Sequence, residues 1–198
     1  MIDFVLKAYE LKDEERAGWK LRGVRNPESV ADHSWGTAML CWLYASEAGD
    51  PESDVDRDRA VAMAVVHDIA EAEMGDVATR VHDSERTVSV SEKQRRERGA
   101  FSVMSALLQK SAESRVDSTF ETRTGETDGA GPDPGDTGSS ASRKSSSMAY
   151  ELSALWKEYE RGTSTTARFV RDMNLCDMCA QALIYEGSRR YDTETESP

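Results

Sequence analysis

In the stretch VVHDIAEAEMGD, residues 65–76, His67 and Asp68 stand side by side, with acids at Glu71, Glu73 and Asp76 close behind. The chain holds only three histidines, so this one is not a product of composition. If residues 56–72 form one helix, His67 and Glu71 share a face. Neighbouring positions on a helix lie about 100° apart in projection, so His67 and Asp68 can lean toward a point between them. An imidazole nitrogen and a carboxylate oxygen delivered that way suit a divalent ion of borderline hardness, such as Mn, Co, Ni, Fe or Zn. Two ligands hold an ion poorly. His33, in the first turns of the preceding helix, supplies a third, and a fourth oxygen from a distant helix leaves positions open for water and substrate. The plainer reading of His67 is a satisfied core histidine. Asp68 weighs against it, because a buried carboxylate without a partner is costly.

Helices are needed to carry these side chains, and the pattern supplies them. Segment 2–15 has apolar residues at Ile2, Val5, Leu6, Tyr9 and Leu11, a helical spacing. RAGWKLRGVRNPES, residues 16–29, reads as a loop with a basic cluster at Arg16, Lys20, Arg22 and Arg25. Ser29 or Asp32 can cap a helix running to about residue 48. GDPESD is a turn, 56–72 a helix rich in Ala and Val, and Gly75 is available for a left-handed cap. A polar helix follows over 90–109. Residues 111–147 are almost all Ser, Thr, Gly, Asp, Glu and Pro, too little apolar surface to offset chain entropy. They read as a disordered insertion inside one domain, because the two helices expected over 148–162 and 163–190 have no partner layer of their own. The domain is therefore 1–190, with a frayed tail at 191–198. No strand pattern is visible, and the fold class is all-α.

The net charge of −12, with 31% charged and 38% apolar residues, makes a strongly acidic surface. Such a surface repels nucleic acid and anionic membrane, and it resembles the salt-adapted surfaces of halophiles. An anionic substrate then needs a local positive charge or a metal. No apolar run is long enough to span a bilayer, the N-terminus lacks the features of a secretory leader, and three cysteines make no disulfide framework. A cytoplasmic location is the expectation. Cys176 and Cys179 form C-x-x-C inside a helix without partner cysteines and read as small core residues. Trp35, Trp42 and Trp156 read as core plugs, and His82 as an exposed loop residue.

His33 with His67–Asp68 and a late acidic position matches the signature of the HD-domain metal-dependent phosphohydrolases. The strings RAGW, NPESVADHSW, VVHDIAEAEMGD, LWKEYERGTSTTARFVRDMNLCDM and QALIYE resemble the YfbR-type 5′-deoxynucleotidase branch over nearly the whole chain, outside 111–147 and the tail. The resemblance implies a helical bundle of five or six main helices, a homodimer, and hydrolysis of deoxyribonucleoside 5′-monophosphates to deoxynucleoside and phosphate. It implies a divalent metal (Mn, Co, Mg, Ni, Fe or Zn) on His33, His67 and Asp68. It gives Glu71 the role of proton donor or water-orienting acid, Asp76 that of a sugar contact, and Arg16 and Trp19 contacts to phosphate and nucleoside. One position departs from the pattern. The family's last metal ligand is an Asp, and Asn174 stands in its place. An Asn carbonyl oxygen can ligate, but without charge. Asp177, three residues on and on roughly the same face, is the substitute, while Asp172 points elsewhere.

Several residues carry a second reading. Asp76 beside Gly75 suits a turn or the cap of a short helix as well as a substrate role. Trp19 can plug a core gap, and the arginines of 16–29 can serve solubility. Two rival functions stay open: an HD phosphohydrolase for another nucleotide phosphoester, and a nucleotide-binding protein whose chemistry is weakened at Asn174.

Overall fold

A computed structural model of the chain describes residues 1–45, 54–78, 88–121 and 140–190. Among them the architecture is all-helical: α1 (Ile2–Tyr9), α2 (Ala17–Leu21), α3 (Val30–Tyr44), α4 (Arg57–Val66), α5 (Glu71–Met74), α6 (Val90–Glu121), α7 (Ser140–Arg161) and α8 (Thr165–Gly187). Six of these are eight residues or longer, and a 3-10 turn, Glu10–Lys12, follows α1. The only extended pairing among the described residues is a single bridge between Glu15 and Ser29. No helix of the described residues is long and apolar enough to cross a membrane.

Local chemistry sets the helix starts. Ser29 caps α3 by accepting from the Asp32 amide, and the Asp32 carboxylate accepts in return from the Ser29 amide. Asp56 caps α4 and Ser164 caps α8 in the simpler one-way form. After α7, Gly162 turns at φ 61°, a conformation that glycine adopts without steric cost. The Arg171 guanidinium closes this end by donating to the carbonyls of Tyr159 and Glu160.

Two apolar clusters hold the bundle. One joins α5, α6 and α7 through Ile69, Ala72, Phe101, Met104, Leu152 and Trp156, with the Phe101 and Trp156 rings stacked at 4.1 Å. The other joins α3, α4 and α8 through Ala38, Cys41, Met63, Ala64, Ala167 and Val170. The candidate site lies where these clusters meet.

Four expectations are corrected. The stretch 56–72 is not one helix: α4 ends at Val66, and His67–Ala70 form a tight turn with bonds from the Ile69 amide to Val66 O and from the Glu71 amide to Asp68 O. These i→i+3 bonds overwind the chain to about three residues per turn. Trp35 and Trp42 are 68% and 55% exposed. The inward face of α3 belongs instead to Val30, His33, Ser34, Thr37, Ala38 and Cys41, a stripe at helical spacing that leaves both tryptophans outside. Cys176 and Cys179 are also exposed, on the outer side of α8. The loop 16–29 contains the short helix α2, with Arg16 at its N-cap.

Elsewhere the bounds shift. Segment 2–15 divides into α1 and the 3-10 turn, and α3 stops at Tyr44. α6 runs on to Glu121 and α7 begins at Ser140, so segment 111–147 is helical at both ends, as elongation from an anchored helix allows. Residues 122–139, the tail 191–198 and His82 lie outside the described residues.

Candidate metal centre

Three elements converge on one point. α3 brings His33, which is fully buried. Its Nδ1 lies 2.7 Å from Asp177 Oδ2, so Nδ1 carries the proton and donates it, leaving Nε2 with a free lone pair. That Nε2 is buried and has no hydrogen-bond partner. The turn after α4 brings His67, whose Nδ1 donates to Ala64 O at 2.7 Å, so its Nε2 also faces inward as an acceptor. Asp68 Oδ2 lies 3.2 Å from His67 Nε2 and 3.9 Å from His33 Nε2. One donor atom from each residue falls within 4.8 Å of the others.

The donor set passes a physical test for a metal. A buried imidazole nitrogen without a partner, such as His33 Nε2, is costly, and two inward imidazole nitrogens with a carboxylate beside them make a site for a divalent cation. Each histidine has its second nitrogen fixed by an outer acceptor, the arrangement that orients imidazole ligands. A divalent metal ion is the cofactor this set fits.

Asn174, on α8, reaches the same point. Its Nδ2 sits 3.1 Å from His67 Nε2 and 3.0 Å from the Tyr159 hydroxyl. Asp177 lies behind His33 rather than beside the other ligands. Gly36 makes room for it, because a Cβ at residue 36 would overlap the Asp177 carboxylate. Glu28, His33 and Asp177 form a second group of candidate donors, but His33 Nδ1 is spent on its hydrogen bond to Asp177. Burial lifts the Glu28 carboxyl to about 6, against the hydrogen bond from Trp19 and with the charge of Asp177.

Arg16 leans over the centre. Its Nη1 is 3.2 Å from Asp68 Oδ2, 3.8 Å from Asp76 and 3.9 Å from Glu71. Asp76 accepts from the Ala17 amide at 2.8 Å, so it caps α2 and ties Arg16 in place. Glu71 is 3% exposed and its Oε2 has no hydrogen-bond partner. Burial, reinforced by the charges of Asp68 and Asp76, pushes its pKa well above the usual carboxylate range, against Lys93 and Arg16. Burial acts on Asp68 in the same sense, but His67, Arg16 and His33 outweigh it and hold that carboxyl well below the usual range. Two carboxyls three residues apart are thus driven in opposite directions, one toward a proton and one toward a charge.

Two cavities meet here. The inner one, about 200 Å³, is lined by His67, Asp68, Glu71, Glu97, Tyr159 and Asn174 among others. The outer one, about 260 Å³, is walled by Trp19, Arg22, Asp76, Val77, Ala78 and Met178. Trp19 is buried, donates from Nε1 to Glu28 at 2.9 Å and meets Tyr185 edge-on at 5.3 Å, so it is both a packed residue and a cavity wall. Of the residues that sequence reasoning left unmarked, Tyr159 stands within the WKEYE string, which carried its signal. Lys93 sits in the charge run EKQRRER, which reads as a solvated face, and nothing in that run set it apart.

Comparison with known proteins shows what the chain is similar to. The HD domain family model matches residues 8–128 and 141–197. The 5′-deoxynucleotidase HDDC2 of Bos taurus is 30% identical over 94% of this chain and 68% of its own length. The 5′-deoxynucleotidase hdd1 of Schizosaccharomyces pombe is 29% identical over 94% of this chain and 71% of its own. Among solved structures, the PH0347 protein of Pyrococcus horikoshii OT3 superposes with a TM-score of 0.61 at 26% identity, covering 97% of this chain and 82% of that one. A protein of Magnetospirillum magnetotacticum MS-1, described as a predicted metal-dependent phosphohydrolase, gives 0.53 at 28% identity, over 87% of this chain and 64% of that one. With the family model matching most of its length and two histidines and an aspartate gathered at one buried point, this chain belongs to the HD domain family.

Proposed function

We propose that this protein hydrolyses deoxyribonucleoside 5′-monophosphates to deoxynucleoside and phosphate, with a divalent metal held by His33, His67, Asp68 and Asn174. The single observation that carries the reading is the unpartnered, fully buried Nε2 of His33, close to His67 Nε2 and Asp68 Oδ2, the latter two residues lining a cavity together with Arg16. When bound, the metal supplies an activated water and polarises a phosphoryl oxygen. Two imidazoles beside a carboxylate suit a borderline ion (Mn, Co, Ni, Fe or Zn) better than Mg.

The remaining work falls to the chain's own side chains. Arg16 offers guanidinium donors to the phosphate and neutralises its charge. Glu71, whose burial beside Asp68 and Asp76 favours its protonated form, gives its proton to the leaving 5′-oxygen. Trp19 lines the cavity that receives the nucleoside, and Asp76 holds the Arg16 segment while offering its carboxylate to a sugar hydroxyl. Tyr159 can accept from the Asn174 amide or donate to its oxygen, so it steadies that residue in either orientation. A preference for deoxyribose would come from close packing at the sugar C2′, where a hydroxyl would clash or lack a partner.

We further propose a homodimer and a cytoplasmic location. The exposed Trp35, Trp42, Leu175 and Leu183 of α3 and α8 support a second copy as the cover for this face, and light scattering of the purified protein tests it. The acidic surface supports a small-molecule substrate over nucleic acid.

Asn174 favours a second reading, a nucleotide-binding protein with weakened chemistry, because its neutral amide stands beside His67. Phosphate release from dAMP, with added Mn or Co and after chelation, separates the two. Metal-dependent release supports the hydrolase. No release by wild type or by Asn174→Asp, with no metal retained, supports a binding role. A panel of mono-, di- and triphosphates, deoxy and ribo, tests the choice of phosphoester.

A further inference from the structure

We infer that Lys93 is a second phosphate-binding cation of this site, gripping the substrate phosphate together with Arg16 where the two cavities join. This rests on the phosphomonoesterase reading and deepens it. Arg16 and Lys93 are the two residues that line both cavities. They stand on opposite sides of Glu71: Lys93 Nζ is 3.5 Å from Oε1, and Arg16 Nη1 is 3.9 Å from Oε2. A substrate with its phosphate in the inner cavity and its nucleoside in the outer one brings that phosphate up to both cations, because Arg16 and Lys93 line the inner cavity too.

Lys93 is built in rather than splayed. It lies in the first turn of α6, whose start is set by Ser89 accepting from the Glu92 amide. Its side chain is 21% exposed and is held from the far side by Glu97 Oε1 at 3.5 Å. At 3.5 Å both contacts are loose for a charged hydrogen bond, so the ammonium can turn its protons to an arriving anion without breaking a strong pair. A phosphate monoester at neutral pH carries close to two negative charges, matched by one guanidinium and one ammonium. Beyond Lys93 the inner cavity is walled by Glu97 and Glu160. A further phosphate there meets carboxylates, so the same pair of cations favours a monophosphate over longer chains.

The test uses the full chain loaded with manganese. Inorganic phosphate is titrated calorimetrically into wild type, Lys93→Met, Lys93→Gln, Lys93→Arg and, as a charge control on the exposed side of α6, Lys110→Met. Both neutral variants are expected to weaken phosphate about ten-fold, while Lys93→Arg stays within about three-fold of wild type. Lys110→Met should bind as wild type does. With dAMP, Lys93→Gln should raise KM more than it lowers kcat. A neutral variant with an intact helical circular dichroism spectrum that binds phosphate within about two-fold of wild type overturns the inference. If wild type releases no phosphate from dAMP yet its phosphate affinity still depends on Lys93, the proposed reaction falls and the cation stands. If turnover is present and indifferent to Lys93, the cation alone falls.

Discussion

Asp177 Oδ2 accepts the Nδ1 proton of His33 at 2.7 Å, and this bond decides which nitrogen of the ring faces the candidate metal centre. Asp177 thereby stands behind a candidate ligand, His33, rather than beside the other candidates. Removing such an outer partner costs metal affinity by roughly 10–100-fold. Asp177→Asn should do so while the fold persists, and Gly36→Ala should do the same from across the helix pair by driving the carboxylate away. Manganese titration of the two variants, with circular dichroism as the folding check, measures this.

Asn174→Asp adds a negative charge beside His67 Nε2, where the amide nitrogen now lies at 3.1 Å. Ligand charge is a principal control on cation affinity, so the variant should hold a divalent metal at least about ten-fold more tightly. Competition against a calibrated chelator reads it directly. Turnover at limiting metal should rise with it.

Glu71 must be protonated to act as an acid, and its surroundings raise its pKa. Below that pKa the donor is filled and kcat is flat; as pH rises through it, the proton is lost and kcat falls. Glu71→Gln should lower kcat by about 10²–10⁴-fold, and the residual rate should lose this alkaline limb. A pH profile of both proteins checks the assignment.

Glu28 titrates near 6 in the folded protein, against 4.5 as its ordinary value. A carboxyl raised by folding binds its proton more tightly in the native state, so it favours folding most below about pH 4.5, and that contribution is lost as pH rises toward 6. Glu28→Gln keeps an acceptor for the Trp19 indole and cannot ionise. The gap in Tm between wild type and Glu28→Gln should therefore shift in favour of the variant on going from pH 5 to pH 7, as thermal unfolding at the two pH values will show.

The cluster of His33, His67 and Asp68 was legible because its chemistry is hard to explain otherwise: a histidine and an aspartate in an apolar run demand each other or an ion. The caps were legible because Ser29 and Asp32 announce a helix start through local bonds alone. Asp177 was visible only as a spare ligand, since its true partner, His33 Nδ1, depends on how closely α3 and α8 cross at Gly36. The break after Val66 was hidden because nothing in HDIAEAEM opposes helix, and the turn is imposed by tertiary contacts around His67 and Asp68. Trp35 and Trp42 misled for the reverse reason. Their size suggests burial, but His33, Thr37, Ala38 and Cys41 had already claimed the inward stripe. Lys93 could not be told from its charged neighbours until α6 was set against Glu71.

The four tryptophans divide between two territories. Trp19 and Trp156 are buried against the paired cavities, while Trp35 and Trp42 stand out on α3. A polar quencher such as iodide extinguishes emission only from indoles it can reach, so it silences the second pair in a free chain and leaves the first pair glowing. What survives in the spectrum is an optical gauge of nucleotide entry, and what is shielded from iodide at rising protein concentration is a gauge of self-association, both obtained without a label.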